Sequence, residues 1–201
     1  MPAFLLLLIS FSLVVTGTAA GAPTVLYLPL IGKTCTVPIP NGNFEQGRTQ
    51  WTETSNYDFD LVPLVVDRTY IDTYSPGIAP RSGNWAGWLC GIANEVASLK
   101  QRLSIPASCP TLTYWHWIDS DAPCGVNYAD VIVTTASGNF VVVDSYELCS
   151  GKNTGKWALH QVNLSAYAGQ SVELEIQASC TSQDYTSLFL DDLAFQRGLI
   201  R

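Results

Sequence analysis

Short apolar segments that alternate with polar residues are the feature that most constrains the fold of this chain. Apolar runs at 131–133 and 141–143 flank Ser137-Gly138-Asn139, a turn sequence that predicts a β-hairpin. The same pattern predicts strands over residues 59–67, 84–90, 97–105, 111–119, 128–135, 138–147, 156–164, 171–180 and 186–196. Only residues 164–170 indicate a helical turn. The sequence therefore predicts an all-β antiparallel β-sandwich, a jelly roll of about eight or nine strands.

The amino-terminal region has the composition of a secretory leader. Residues 4–15 are continuously apolar, and a run of small residues follows them. This pattern predicts a signal peptide over residues 1–22 and a spacer over residues 23–40. The alternative is an uncleaved membrane anchor, since no charge precedes Lys33. We favour cleavage, because glycines interrupt the apolar run, and we expect a secreted, extracellular protein that does not insert into a membrane.

The rest of the chain, residues 41–197, has the length of one domain with a substantial core. The net charge of the chain is −7, with only ten Lys and Arg residues. No basic run interleaves with aromatic residues, so nucleic acid is not an expected partner.

Six cysteines in an exported chain predict three disulfides. Sequence alone does not choose among the possible pairings. We predict that Cys124 pairs with Cys149, because both lie near turns that flank a predicted hairpin. A zinc site is the competing use of cysteine, but no C-x2-C or C-x2-H spacing is present. The remaining cysteines are assigned as two further pairs, Cys90 with Cys180 and Cys35 with Cys109.

Motifs of the common catalytic classes are absent from the sequence. It contains no zinc-peptidase H-E-x-x-H, no G-x-S-x-G elbow and no phosphate-binding loop. His116 shares a predicted strand face with Leu112 and Ile118, which predicts a satisfied core histidine rather than a general base. Asp119 and Asp121 leave a hydrolase as an alternative, but acids adjacent in sequence rarely flank a cleft. We expect no catalytic residues and no enzyme activity.

An ordered set of degenerate motifs covers residues 41–196. The set comprises NGNFE at 41–45, Trp51, SGNWAGW at 82–88, LKQRLSIP at 99–106, TLTYWHWIDS at 111–120, Trp157, VNLSAYAGQ at 162–170, VELEIQA at 172–178 and LFLDDLAF at 188–195. It resembles the galactose-binding-like jelly-roll superfamily. The resemblance is to its calcium-containing xylan- and glucan-binding modules and to MAM-like accessory domains of secreted metallopeptidases. It implies a jelly-roll fold and a binding activity.

The resemblance also implies a structural calcium ion where the first and last strands meet. Its ligands carry over to Glu45 and Asp191, with main-chain carbonyls around Asn43 and Asn84. Calcium takes about six to eight oxygen ligands, and a buried carboxylate needs a partner. Strand alternation places Asp191 on the inward face with Leu193. The alternative is that both carboxylates cap turns or accept hydrogen bonds from backbone amides.

Aromatic residues are the candidate ligand-binding groups, because a sugar ring stacks its apolar face on Trp or Tyr. Trp115 and Trp117 lie on the strand face opposite Leu112, and in the related modules such a pair forms a platform. Asp130, on the next strand, is the candidate hydrogen-bond acceptor. The alternative is that both tryptophans belong to the core.

A second set of aromatic residues indicates a site at the loop edge instead. It consists of Trp85, Trp88, Tyr57, Tyr70 and Tyr74. The tyrosines lie in a proline-containing stretch that predicts an exposed loop of the kind that carries function.

Two functions are therefore compatible with the sequence. The first is a secreted, non-catalytic module that binds polysaccharide or cell-surface glycan and contains structural calcium. The second is a MAM-like structural or adhesion domain that engages protein or a cell surface without binding sugar.

Overall fold

The computed structural model of this chain describes residues 11–14, 25–28, 35–58 and 61–197. Its contacts divide the chain into two units, residues 1–34 and residues 35–201. In the first unit, β1 (Phe11–Val14) pairs antiparallel with β2 (Val25–Leu28).

The predicted signal peptide, residues 1–22, is described only at residues 11–14, and the predicted spacer, residues 23–40, only at residues 25–28 and 35–40. Both assignments stay predictions, although residues 36–38 of the predicted spacer form a strand of the second unit. Within the described part of the chain, no helix has both the length and the apolar character needed to cross a membrane.

The second unit is a sandwich of eleven strands. They are β3 (Thr36–Pro38), β4 (Thr52–Ser55), β5 (Val65–Asp67), β6 (Trp85–Leu89), β7 (Glu95–Ser104), β8 (Thr111–Ser120), β9 (Asn127–Thr135), β10 (Phe140–Glu147), β11 (Ala158–Asn163), β12 (Ser171–Cys180) and β13 (Thr186–Gln196). The connections carry helix α1 (Arg68–Tyr74) and two 3₁₀ turns, Ser150–Lys152 and Ser165–Tyr167.

The strands form two antiparallel sheets. One has five strands in the order β10, β9, β12, β7, β4. In the six-stranded sheet, β11, β8, β13, β6 and β5 are neighbours in that order, and β3 pairs with β13. The chain therefore crosses between sheets at several connections, including the one from β8 to β9. The predicted all-β antiparallel sandwich is confirmed.

The main core consists of buried residues contributed by both sheets, and strand alternation explains which residues reach it. On β8, Leu112 and Tyr114 are fully buried, and on β12 Leu174 and Ile176 are fully buried. These four side chains belong to one apolar cluster. The alternation that predicted the strands is therefore the pattern that builds the core.

Every predicted strand is present, and the predicted helical turn is a 3₁₀ turn. The first predicted strand is shorter than expected: β5 covers only the end of 59–67. The sequence prediction missed β3, β4 and α1. The two strands are short and mostly exposed. Helix α1 buries only Ile71, so it has no apolar periodicity, although Asp67 caps its first turn by accepting from the Tyr70 N–H at 2.8 Å.

Three disulfides join the cysteines in the predicted pairs. They are Cys35–Cys109, Cys90–Cys180 and Cys124–Cys149. Cys90 follows β6 of the six-stranded sheet and Cys180 ends β12 of the five-stranded sheet. This second disulfide therefore links the two sheets.

Removal of the Cys90–Cys180 disulfide should destabilise the fold more than removal of Cys124–Cys149. The two pairs are 90 and 25 residues apart, and a longer closed loop removes more entropy from the unfolded chain. We expect Cys90→Ala/Cys180→Ala to lower the free energy of unfolding by about 4–5 kcal/mol and Cys124→Ala/Cys149→Ala by about 3 kcal/mol. Urea unfolding measures both losses, and the reverse order would contradict the loop-length argument.

Candidate functional site

Trp115 and Trp117 lie on the outer face of the six-stranded sheet, opposite the core residues of β8. Both side chains are half-buried. The Arg81 guanidinium lies 4.0 Å from the centre of the Trp115 ring. Trp117 meets Trp157 edge to face, with ring centres 6.3 Å apart. The pair is therefore neither an open platform nor part of the core between the sheets.

Asp130 does not lie beside these tryptophans. It is on β9, in the five-stranded sheet, where it pairs with Ser145 and Gln177. The sequence prediction treated β8 and β9 as neighbours, but the connection between them crosses from one sheet to the other. The acceptor expected beside Trp115 and Trp117 is therefore not supplied by Asp130.

Trp85 and Trp88 lie on opposite faces of β6. Trp85 is half-buried and packs against the main core. Trp88 is 6% exposed and stacks on Phe189, with ring centres 4.8 Å apart. The structure therefore separates these two tryptophans.

A second apolar cluster covers the outer face of the six-stranded sheet near α1. Its buried members are Val66, Ile71, Ile78, Ala86, Trp88 and Phe189, with Tyr70, Trp117 and Trp157 partly buried against them. Helix α1 contributes Ile71 and Tyr70, so this helix and the following loop shield the cluster. One wall of this cluster faces a cavity.

That cavity, which we call the aromatic pocket, has a volume of about 440 Å³. Its lining comprises Leu61, Val62, Pro63, Leu64, Tyr70, Tyr74, Trp88, Gly91, Ile92, Glu95 and Tyr185. Two further cavities, of about 500 and 510 Å³, contain no aromatic residue in their linings. The aromatic pocket therefore combines the volume of a ligand site with stacking surfaces.

The aromatic walls are held by packing and hydrogen bonds. Tyr70 and Tyr74 are one helical turn apart on α1, with ring centres 4.7 Å apart. Tyr70 meets Trp88 edge to face at 6.0 Å. The Trp88 Nε1–H donates to Ser187 Oγ at 2.9 Å, and Ser187 Oγ donates to Tyr185 Oη at 3.0 Å. These contacts connect all four aromatic side chains of the pocket in one series.

Glu95 supplies a buried carboxyl group to the aromatic pocket. The residue begins β7 and is fully buried. Its Oε1 accepts from Ser55 Oγ at 2.9 Å, whereas its Oε2 has no hydrogen-bond partner. Burial raises the pKa of Glu95, an effect that the Ser55 hydroxyl and nearby backbone amides oppose. The pKa of Tyr70 is also raised. Burial is the main cause, and the nearby Tyr74 hydroxyl and Glu95 carboxyl make smaller contributions.

The sequence prediction included Tyr70, Tyr74 and Trp88 among the loop-edge candidates but missed Glu95 and Tyr185. The sequence gives no clear signal for Glu95, because β7 mixes apolar residues with polar and charged ones. Tyr57 is not part of the pocket lining.

Glu45 and Asp191 bind the same loop, residues 82–85. The Asn84 and Trp85 N–H groups both donate to Glu45 Oε1 at 2.9 Å. The Ser82 N–H donates to Asp191 Oδ2 at 3.0 Å. An added Cβ on Gly83 would lie 2.2 Å from the Glu45 carboxyl carbon, so glycine alone lets this carboxyl group approach the loop.

Asp191 is fully buried, but not on the face that strand alternation predicted. Leu190 and Leu193 both belong to the main core, whereas Phe189 belongs to the outer cluster. A bulge in β13 between Asp191 and Ala194 changes the phase of alternation. The expectation that Asp191 shares a face with Leu193 is therefore wrong, because Asp191 follows Leu190 before the bulge.

The electrostatic environment of Asp191 disfavours its charge. Burial raises the pKa of Asp191 to about 7, and the nearby Asp192 carboxylate adds to the rise. Backbone bonds oppose the rise: the Ser82 N–H, the Asp192 N–H at 2.7 Å and, to a smaller extent, the Arg81 backbone. Asp192 itself pairs with Arg81.

The described part of the chain brings few metal-ligating side chains together. The only group of three or more His, Cys, Asp or Glu ligand atoms found there within 4.8 Å is Cys124, Glu147 and Cys149. Its two cysteines form a disulfide, so this group is not a metal site. A cation held by Glu45 and Asp191 would need main-chain oxygens as well.

His116 faces the core, but its hydrogen bonding differs from the prediction. The residue is 8% exposed, and its Nδ1 has no hydrogen-bond partner. The expectation of a satisfied core histidine is therefore wrong. Burial lowers the pKa of His116 to about 4, and the His160 ring, 5.2 Å away between centres, adds to this. His160 bonds Asp144 through Nε2 at 2.6 Å.

Sequence comparison identifies no relatives for this chain: no family model matches it, and no curated protein sequence matches it.

Solved structures do resemble it. A carbohydrate-binding module, TmCBM61, in complex with β-1,4-galactotriose has a TM-score of 0.55 and 15% identity, over 81% of this chain and 99% of the module. The K2 adhesin domain of Lys-gingipain, from Porphyromonas gingivalis, has a TM-score of 0.52 and 17% identity, over 83% and 99%. A carbohydrate-binding module of the β-sandwich superfamily with promiscuous specificity has a TM-score of 0.50 and 18% identity, over 92% and 72%.

Protonation of His116 should destabilise the fold in acid. Its pKa falls from 6.5 to about 4 on folding, so between these values the unfolded chain binds a proton that the folded chain does not. Stability is therefore full above 6.5 and is lost as the pH falls toward 4. We expect this group to contribute about 3 kcal/mol, measured as the difference between wild type and His116→Phe in urea unfolding against pH. Parallel pH profiles for the two proteins would contradict the assignment.

The order of the strands and the likeness to these structures lead to one conclusion: the chain has an antiparallel β-sandwich fold similar to that of these carbohydrate-binding modules and adhesin domains.

Proposed function

We propose that this chain is a secreted, non-catalytic module that binds polysaccharide or cell-surface glycan, and that the aromatic pocket is its sugar site. The observation that carries the proposal is the convergence of Tyr70, Tyr74, Trp88 and Tyr185 around the buried carboxyl group of Glu95. Three disulfides support the extracellular location. The leader over residues 1–22 belongs to the same proposal.

The pocket offers both kinds of contact that a sugar requires. Aromatic faces stack on the apolar face of a pyranose ring, and a carboxylate accepts hydrogen bonds from its hydroxyls. Tyr74 is 63% exposed at the rim, whereas Trp88 is 6% exposed below it. A ring would therefore enter past Tyr74 and pack toward Trp88.

Trp115 and Trp117 are less suitable as the primary site. Arg81 covers the Trp115 ring, and Arg81 is itself paired with Asp192. Stacking a sugar on Trp115 would require displacement of this paired guanidinium. The pocket requires no such displacement.

The likeness to TmCBM61 supports a binding role, because that module was solved in complex with β-1,4-galactotriose. The likeness to a gingipain adhesin domain supports the second candidate function, adhesion to protein or a cell surface. The observation that favours adhesion is the exposed apolar edge of β10. Phe140, Val141 and Val142 are 72%, 45% and 47% exposed on an end strand of the five-stranded sheet. Adhesion through this edge would depend on Phe140 and not on Tyr74.

Binding of soluble oligosaccharides should depend on the rim tyrosine. We expect Tyr74→Ala to weaken the affinity for a bound oligosaccharide about tenfold, since the ring loses a stacking surface worth about 1.4 kcal/mol. Tyr128→Ala removes another exposed tyrosine, on β9 and outside the pocket lining, and should leave the affinity unchanged. Isothermal titration against a panel of oligosaccharides measures both.

If Trp115→Ala abolished binding while Tyr74→Ala did not, the site would be the outer tryptophan pair. Absence of binding to every glycan in the panel would leave adhesion as the better candidate.

We also propose that Glu45 and Asp191 hold a structural calcium ion. Three observations support a fit to a cation: Asp191 is fully buried, Asp192 lies beside it, and Gly83 leaves space for the Glu45 carboxylate over the same loop. A bound calcium ion would neutralise the buried charge and crosslink the loop. The backbone bonds to both carboxylates hold them in place on residues 82–85.

Calcium should stabilise the protein increasingly as the pH rises. Burial raises the folded pKa of Asp191 from 3.8 to about 7, so the metal-free protein loses stability from this group as the pH rises between these values. The ion binds the ionised form. We expect a melting temperature about 5 °C higher in calcium than in chelator above pH 7, and a smaller difference in acid.

The matched pair of variants is Asp191→Asn and Asp192→Asn. The first should lose the calcium response, and the second should weaken it less, because Asp192 lies beside the site but pairs with Arg81. An identical melting temperature in calcium and in chelator at every pH would remove calcium from this site.

A further inference from the structure

The charge state of the aromatic pocket is unbalanced. Glu95 is fully buried, and one of its carboxyl oxygens has no hydrogen-bond partner. A buried carboxylate without a compensating cation is costly. The Ser55 hydroxyl donates to Oε1, and the backbone amides of residues 90–92 also favour the charged carboxyl group, but Oε2 has no partner within hydrogen-bond distance.

No protein cation meets this requirement within the described residues. The pocket lining contains no Lys, Arg or His. The ion pairs found in the described part of the second unit use other acids: Glu53, Asp192, Glu175, Glu173 and Asp144. A cationic group on a ligand would supply the balancing charge that these side chains do not.

The walls of the pocket also favour a cation. The faces of Tyr and Trp rings carry partial negative charge, and they attract ammonium groups within about 6 Å. Tyr70, Tyr74 and Trp88 form a continuous series of ring contacts, at 4.7 and 6.0 Å between centres. An ammonium group in this pocket would interact with the aromatic faces and with the Glu95 carboxylate at the same time.

We infer that the aromatic pocket selects an amino sugar with a free, protonated amine, whose ammonium group binds Glu95 while its ring stacks on the tyrosines. This inference rests on the proposed function, because it takes the pocket as the sugar site. A hydroxyl in place of the amine donates a hydrogen bond to Oε2 but leaves the carboxylate charge unbalanced. An N-acetyl group removes the positive charge and adds bulk. A polymer of glucosamine is therefore the preferred ligand class.

The test uses three tetrasaccharides that share β-1,4 linkage and differ only in the group at carbon 2: the glucosamine, N-acetylglucosamine and glucose tetramers. Isothermal titration of the full chain gives the three affinities at several pH values from mildly acidic to neutral, because acid protonates the sugar amine but also favours the neutral form of Glu95. We expect the glucosamine tetramer to bind at least about tenfold more tightly than either neutral tetramer.

Two charge variants locate the selectivity. Glu95→Gln retains the side-chain size and an acceptor for Ser55, and it should remove the preference for the amine while neutral sugars still bind. Glu173→Gln removes one negative charge elsewhere, from an exposed pair with Arg102, and it should retain the preference. Tyr74→Ala should weaken all three tetramers, and the glucosamine tetramer most, because the same ring stacks on the sugar and attracts the ammonium group. The melting temperature of each variant verifies that it folds.

The outcomes separate this inference from the proposed function. Equal affinity of the wild-type protein for all three tetramers would overturn the inference and leave a neutral-sugar site. Retention of the amine preference in Glu95→Gln would also overturn it. Failure of every tetramer and every other glycan to bind would overturn both. If Glu95→Gln does not fold, the affinities of the wild-type protein for the three tetramers still test the preference for the amine.

Discussion

The pairing of β13 on both of its edges is the interaction on which the rest of the structure depends. This strand lies between β8 and β6, and its end also pairs with β3. Its backbone groups are satisfied within the sheet, so its apolar residues can be buried on both faces. Leu188 and Leu190 enter the main core, and Phe189 enters the outer cluster. Because Phe189 supports Trp88, the aromatic pocket depends on the placement of this strand.

Sequence periodicity predicted the fold well because burial follows alternation along most strands. The prediction failed where the chain departs from alternation or changes sheet. The bulge after Asp191 shifts the inward–outward alternation of side chains along β13, and no pattern of apolar residues reveals such a shift. Asp191 is therefore buried on the face opposite to the one that alternation predicted. Asp130 was misplaced because sequence order does not state which sheet receives the next strand.

The candidate site was harder to predict than the fold because it is assembled from short, irregular segments. Tyr70 and Tyr74 share a face only because residues 68–74 form a helix, and that helix is too short to produce a periodic signal. Glu95 begins a strand, and its burial depends on the loop at 61–64 and on Ser55, which are distant in sequence. Aromatic composition indicated candidates, and only the three-dimensional arrangement separated Trp88 from Trp85.

The pairing of β3 with β13 has a consequence for how this sandwich can be combined with other domains. Thr36 lies opposite Gln196, and the Arg197 N–H donates to the Cys35 carbonyl at 3.2 Å. The backbone thus enters and leaves the sandwich at neighbouring points. A domain with adjacent ends can be inserted into a surface loop of a host protein, or repeated in series, with little distortion of either partner. Such geometry suits modular shuffling, in which one recognition unit is reused among unrelated architectures.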